Sequence, residues 1–203
     1  DRLPPTSQRM SFPKEPLEKR VETDYRIVTS EPQLEALLKE LERSRRFAFD
    51  VETTSKDAML ADLVGLSFCA EVGKAYYIPV GHRALGQIIP QLSLNYVLDK
   101  LRPLLEDEGF QKYAHNGKYD LTILARHGLW VKGLTFDTML AAWLLNPSSR
   151  SLNLKDLAWE RLGVEMKPIS DFIGEGRKQI TMAQVPIADA GRYSCADSDM
   201  TYR

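Results

Sequence analysis

The sequence predicts an α/β domain, a mixed sheet of about five strands with helices on both faces. Three observations carry that reading. Apolar runs of strand length alternate with stripes of helical period, in the order β-α-βββ-α-β-α followed by further helices. Two of the runs, 63–70 and 74–80, are joined by Glu71-Val72-Gly73, a hairpin signal that demands an antiparallel pair within the sheet. The 203 residues are 43% hydrophobic and 27% charged, enough for one sizeable core and a short extension.

Residues 1–24 carry Pro4, Pro5, Pro13 and Pro16 among charges and read as a linker or arm, which leaves 25–203 as the domain. A first strand is expected at 25–29. Ser30 and Gln33 then form a capping box for a helix over about 31–43, whose stripe is Leu34, Leu37, Leu38 and Leu41. The strand at 47–53 precedes the hairpin, and 81–94 reads as a loop. An amphipathic helix follows at 96–105, then a short strand at 111–115. Asn116 is the expected N-cap of the next helix, striped by Leu121, Leu124 and Ala125 and stopped by Gly128. A short strand is placed near 129–132, with helices over 135–145 and 151–162. Residues 164–180 look irregular, and a last helix begins near Ala188. No internal repeat is visible. The N-terminal residue is not Met and the chain ends inside that last helix, so a piece of a longer polypeptide is expected.

The formal net charge of −1 leaves no global basic field with which to hold nucleic acid by counterion release. Any such contact has to be local. Cys69 and Cys195 lie in apolar stretches with neither metal-ligand spacing nor a disulfide framework, which points to a reducing compartment. No run has transmembrane length and no signal-peptide pattern begins the chain.

The chemistry concentrates in three places. In the strand at 47–53, side chains two apart share a face, so Ala48, Asp50 and Glu52 point one way and Phe47, Phe49 and Val51 the other. Two carboxylates emerging together from an apolar strand repel and lose solvation unless a cation joins them, and hard ions such as Mg²⁺ or Mn²⁺ prefer such oxygens. Asn116 and Asp120, four apart, share a helix face, although an acid in a first turn is also an ordinary partner for the helix dipole. Tyr193 and Asp197 repeat that spacing in the last helix, among small or apolar neighbours. Asp199 falls on neither face and reads as solvent-exposed.

Three stretches then stand in order: Phe49-Asp50-Val51-Glu52-Thr53, His115-Asn116-Gly117-Lys118-Tyr119-Asp120 and Gly191-Arg192-Tyr193-Ser194-Cys195-Ala196-Asp197. Together they resemble the DEDD superfamily of 3′–5′ exonucleases, and most closely the proofreading exonuclease domain of the DNA polymerase I family. The stretches 63–68, 77–80, 136–140 and 174–181 fit as well, so the resemblance spans about 25–203. Tyr193 sits four residues before Asp197 and Arg192 five before it, which is the tyrosine branch. None of the three histidines, His82, His115 and His127, falls in the corresponding slot.

The resemblance implies a ribonuclease H-like fold and hydrolysis assisted by two divalent ions, Mg²⁺ or Mn²⁺. Asp50, Glu52 and Asp197 would hold one ion. Asp50 would bridge to the second, and Asp120 would hold that one largely through water. Tyr193 and Glu52 would orient the attacking water. Asn116, Lys118 and Arg192 would contact the last nucleotides. Lys56 stands where relatives often have an apolar wedge against the terminal base, which makes nearby Met59 the candidate, and Ile169 takes a further base-contact position. Tyr119 or Tyr77 could serve as a stacking platform, although such tyrosines are more often core. The implied substrate is the single-stranded 3′ end of DNA, the implied partner a polymerase domain in the same chain, and the implied location the bacterial cytoplasm, associated with the nucleoid. Two other readings start from the same residues: a catalytically dead scaffold, against which all four carboxylates speak, and an exoribonuclease of the ribonuclease D type.

Overall fold

A computed structural model describes residues 21–83, 90–149 and 151–203. The expected linker therefore lies outside the described residues up to position 20, and its last residue, Asp24, already begins β1 (Asp24–Ile27). Ser30 and Gln33 start α1 (Glu31–Ser44) as expected, with Gln33 Oε1 accepting from the Ser30 N–H at 3.1 Å. There follow β2 (Arg46–Thr53), β3 (Leu63–Glu71), β4 (Lys74–Pro79), α2 (Leu94–Leu105), β5 (Gln111–Ala114) and α3 (Gly117–Arg126). The chain continues through β6 (Leu134–Asp137), α4 (Thr138–Leu145), α5 (Leu154–Leu162), the single turn α6 (Ser170–Ile173) and α7 (Ile187–Tyr202). Two 3₁₀ turns, Gly176–Lys178 and Met182–Gln184, occupy the stretch before α7.

Among the described residues the sheet has six strands rather than five, in the order β1-β4-β3-β2-β5-β6. β2–β3 and β3–β4 are antiparallel, and β1–β4, β2–β5 and β5–β6 are parallel. The sixth strand was expected near 129–132 with a helix from 135. Gly133, at φ 69°, delays the strand until Leu134, because a side chain there would meet the Phe110 carbonyl. Asp137 then sets the helix start by accepting from the Met139 and Leu140 N–H groups at 2.9 and 3.2 Å.

The two faces of β2 divide as their alternation demands. Phe47, Phe49 and Val51 join Leu66, Phe68 and the apolar faces of α1, α2 and α3 in the larger core. Ala48 lies on the other face with Val64, Cys69, Ala75 and Tyr77, under Ala190 and Cys195 of α7. That second layer is built from small residues, so α7 sits close over the middle of the sheet. At Gly191 an added Cβ would come within 3.2 Å of Ile27.

Asp199 is the clear correction: it is fully buried. Its carboxylate accepts from the Tyr25 hydroxyl at 2.9 Å and the Gly73 N–H at 2.9 Å, and pairs with Arg203 at 2.9 Å. It thereby ties β1, the hairpin turn and the end of α7 together. Tyr77, a candidate stacking platform, is also buried; its hydroxyl is 2.7 Å from His82 Nε2. Its ring occupies the space that Gly65 leaves open, since a Cβ at Gly65 would lie 2.2 Å from the Tyr77 hydroxyl oxygen. Gly65→Ala is therefore expected to destabilise the domain by about 1–3 kcal/mol through overpacking, and Gly65→Ala combined with Tyr77→Phe by no less, because the ring carbons Cζ and Cε2 would still lie 2.3 and 2.4 Å from the new methyl group. Denaturant unfolding of the two variants checks this.

Candidate active site

β2 brings two acids to the place where its parallel neighbour stops. β5 pairs with β2 only through Arg46, Phe47 and Ala48, and then leaves the sheet for α3. The second half of β2 is left bordering a crevice, the usual location of sites in open α/β sheets. On the other side Asp50 lies opposite Ser67 of β3, and the Ser67 hydroxyl donates to the Ser194 carbonyl of α7 at 2.9 Å. This bond fixes α7 to the register of β2 one residue from Tyr193.

The result is a compact acid cluster. Asp50, Glu52 and Asp197 each present an oxygen within 4.8 Å of the others. Glu52 is buried, and its Oε1 has no hydrogen-bond partner. The Ser194 hydroxyl lies beside Glu52 and favours its charged form. An orphaned carboxylate oxygen inside a three-carboxylate cluster is the donor set that suits a hard divalent cation. Asp120 is buried too. It approaches from α3 and lies outside the tight trio, close enough to Asp50 for the two to repel. Its burial goes beyond what an acid that only complements the helix dipole requires. The buried residues of α3 are Gly117, Asp120, Ile123 and Leu124. This rotates the helix from the expected stripe toward Asp120.

Electrostatics follow from the burial. Loss of solvation, then repulsion from neighbouring acids, pushes the carboxyl pKa values of Asp50, Glu52 and Asp120 well above the ordinary range. Asp197 is also raised by burial, with Lys155 opposing the shift. Burial holds Tyr193 far above the usual phenol value, so its hydroxyl stays neutral at physiological pH. His115 is pushed down to about 4 by burial, and its Nδ1 lies 2.8 Å from the Thr138 hydroxyl. It brings no positive charge to the cleft at neutral pH.

These carboxyls hold their protons to higher pH when folded than when unfolded. Their contribution to metal-free stability is full at low pH and is lost as pH rises through the folded values. A divalent ion must displace those protons. The rise in melting temperature on replacing chelator with Mg²⁺ is therefore expected to grow as pH rises above the ordinary carboxylate range. Shifts from groups remote from the cluster cancel in that difference, and a gap independent of pH would contradict the assignment.

Asn116 stands at the N-cap position of α3 in the left-handed conformation, φ 60° and ψ 42°, which Asn tolerates better than most residues. Its side chain makes no cap. Instead the Asp137 carboxylate accepts from the N–H groups of Asn116 and Gly117 at 3.2 and 2.8 Å. Asp137 thus caps α4 and orders the start of α3. Asn116 lines a cleft of about 240 Å³ with Asp50, Tyr119, Asp120, Lys155 and Asp197.

A larger groove of about 980 Å³ continues from this cleft and shares Asn116 and Met139 with it; Met59 and Lys118 line the groove. Tyr119 is half-buried and hydrogen-bonded to the Thr53 hydroxyl and the Ser55 carbonyl. Arg192 is exposed and lines a second cavity together with Tyr193, Asp197, Met166 and Phe172. Ile169 packs against the core under α7. The residue that sequence reasoning missed is Lys155 on α5, 3.1 Å from the Tyr193 hydroxyl and 3.4 Å from Asp197. Its one signal was a lysine in a helix's first turn, two residues after an Asn cap.

A family profile described as 3′–5′ exonuclease matches residues 25–203. The DNA polymerase I of Pseudomonas aeruginosa is 38% identical over 186 residues, covering 91% of this chain and 20% of that protein. The DNA polymerase I of Chloroflexus aurantiacus is 39% identical over 179 residues, covering 87% and 18%. The chain thus spans about a fifth of the length of these curated relatives. Among solved structures, the POL domain of Pol1 from M. smegmatis, in complex with DNA primer-template and dNTP, aligns with a TM-score of 0.62 at 25% identity, over 87% of this chain and 25% of that one. The catalytic core of RRP6 from Trypanosoma brucei aligns with a TM-score of 0.66 at 16% identity, over 92% and 46%, a likeness of fold alone. No helix among the described residues is long and apolar enough to cross a membrane. With the match running from β1 to the end of α7, the chain belongs to the 3′–5′ exonuclease family found in DNA polymerases I.

Proposed function

We propose that this domain removes nucleotides one at a time from the 3′ end of single-stranded or frayed DNA, as the proofreading part of a DNA polymerase I. The observation that carries the reading is the trio Asp50, Glu52 and Asp197, gathered within 4.8 Å around an unpartnered Glu52 oxygen. Asp50, Glu52 and Asp197 would hold one divalent ion, Mg²⁺ or Mn²⁺, and Asp50 and Asp120 a second. Such ions, when bound, lower the pKa of a water and stabilise the leaving 3′ oxygen.

The protein's own groups do the rest. The neutral Tyr193 hydroxyl positions the attacking water by hydrogen bonding and does not act as a base. Glu52 accepts from the same water. Asn116, at the junction of cleft and groove, contacts the sugar and phosphate of the last nucleotide. Lys118 contributes local charge to a chain that has little overall, and Met59 packs against a terminal base. A polymerase domain in the same polypeptide would supply the frayed end, and the location would be the bacterial cytoplasm.

The test is digestion of a 3′-labelled single-stranded DNA, with an RNA of equal length beside it. Mg²⁺-dependent release of nucleoside 5′-monophosphates from DNA is expected. A clear preference for RNA would replace the substrate, and full activity in excess chelator would overturn the metal assignment.

A further inference from the structure

Lys155 is placed against local preference. It is the second residue of α5, whose cap is Asn153, with Asn153 Oδ1 accepting from the Asp156 N–H at 2.9 Å. A cation in the first turn of a helix opposes the helix dipole. A residue that breaks a local rule of this kind is held by something else in the fold.

The ammonium, on a side chain only 23% exposed, lies 3.1 Å from the Tyr193 hydroxyl and 3.4 and 3.5 Å from the two oxygens of Asp197. It also lies 4.6 Å from the centroid of the Tyr193 ring, within cation–π range. Four contacts on two residues one helical turn apart fix their relative positions. Lysine is a donor only, so the Tyr193 oxygen accepts from it. That leaves the tyrosine's own O–H for Asp197 or for a water in the cleft. Among the described residues, Lys155 is the cation that acts on Asp50, Glu52 and Asp197 alike.

We propose that Lys155 is a positioning residue of the exonuclease. It serves as a built-in counter-cation that holds Asp197 and the Tyr193 hydroxyl in register, and it lowers the affinity of the carboxylate cluster for divalent metal. The proposal rests on the exonuclease reading above. It differs from a phosphate-gripping lysine in what it acts on: Lys155 touches the protein's own reactive groups, so its removal disturbs turnover rather than substrate capture.

Lys155→Met keeps the stem over the tyrosine ring and removes the charge. Three quantities are measured on the folded chain: kcat and KM for a single-stranded DNA oligonucleotide in Mg²⁺, and Mn²⁺ affinity by electron paramagnetic resonance without DNA. Expected are a fall in kcat of about ten- to a hundredfold from misplacement of the water-orienting group, and a KM within about twofold of the parent. Mn²⁺ is expected to bind about tenfold more tightly, because a competing positive charge has gone. Lys155→Arg should recover part of kcat. Circular dichroism confirms the fold, with Lys155→Gln taking the place of Lys155→Met if the latter does not fold. An unchanged kcat, a rise in KM alone, or Mn²⁺ affinity that is unchanged or weaker overturns the proposal. Asp50→Ala runs alongside: full activity there would overturn the exonuclease reading itself, whatever Lys155 does.

Discussion

Asp50→Ala is expected to lower the rate of 3′-terminal cleavage by about 10³-fold or more, since removing metal-borne stabilisation of the transition state costs several kcal/mol. The same change is expected to raise the melting temperature of the domain in chelator. Asp50 sits in a half-buried cleft where desolvation and the Asp197 charge both disfavour its ionised form. Deleting it relieves repulsion felt by Glu52 and Asp120 as well. A structural acid behaves in the opposite way, because its loss strands its partners. Activity and metal-free stability moving in opposite directions is therefore the signature of a metal ligand at this position. A variant that loses both together would mark Asp50 as a structural residue. Rates come from digestion of a 3′-labelled oligonucleotide in Mg²⁺, and stability from thermal unfolding in chelator.

Asp199→Ala gives the contrast, only two residues beyond Asp197 on the same helix. It is expected to destabilise the domain by about 3–5 kcal/mol, the usual consequence of removing one member of a buried charge pair. Arg203, whose side chain is only 8% exposed, would keep its charge without a counter-charge. The Gly73 N–H and the Tyr25 hydroxyl would lose their acceptor. Asp199→Asn should recover part of the loss, since its single amide oxygen can still accept from the Gly73 N–H. Urea unfolding of the three proteins at neutral pH provides the comparison, and a cost below about 1 kcal/mol for Asp199→Ala would contradict the anchoring role.

The different fates of Asp197 and Asp199 show what the sequence could and could not reveal. The alternation in β2 was legible because a strand has period two, and Asp50 and Glu52 duly share the face of β2 that lies under α7. The four-residue spacings of Asn116 with Asp120 and Tyr193 with Asp197 were legible for the same kind of reason. Asp199 was misread because its acceptor duties lie far away: Tyr25 is 174 residues distant and Gly73 is 126. No periodicity reports such contacts. β6 was displaced because four residues are too few for a period to separate strand from the helix that follows. The cap that divides them, Asp137, serves two helices at once. Lys155 escaped notice because a lysine on a short helix ordinarily faces water, and only the packing of α5 beside α7 turns it toward Tyr193.

In the proposed mechanism Asp50, Glu52 and Asp197, with Asp120 beside them, form a metal centre at the end of β2. Anomalous diffraction from crystals equilibrated with Mn²⁺ tests it most directly. A peak coordinated by oxygens of Asp50, Glu52 and Asp197, absent in the Asp50→Ala protein, is the expected result. Crystals at saturating Mn²⁺ with no peak at that cluster, or with the peak unchanged in Asp50→Ala, would contradict it.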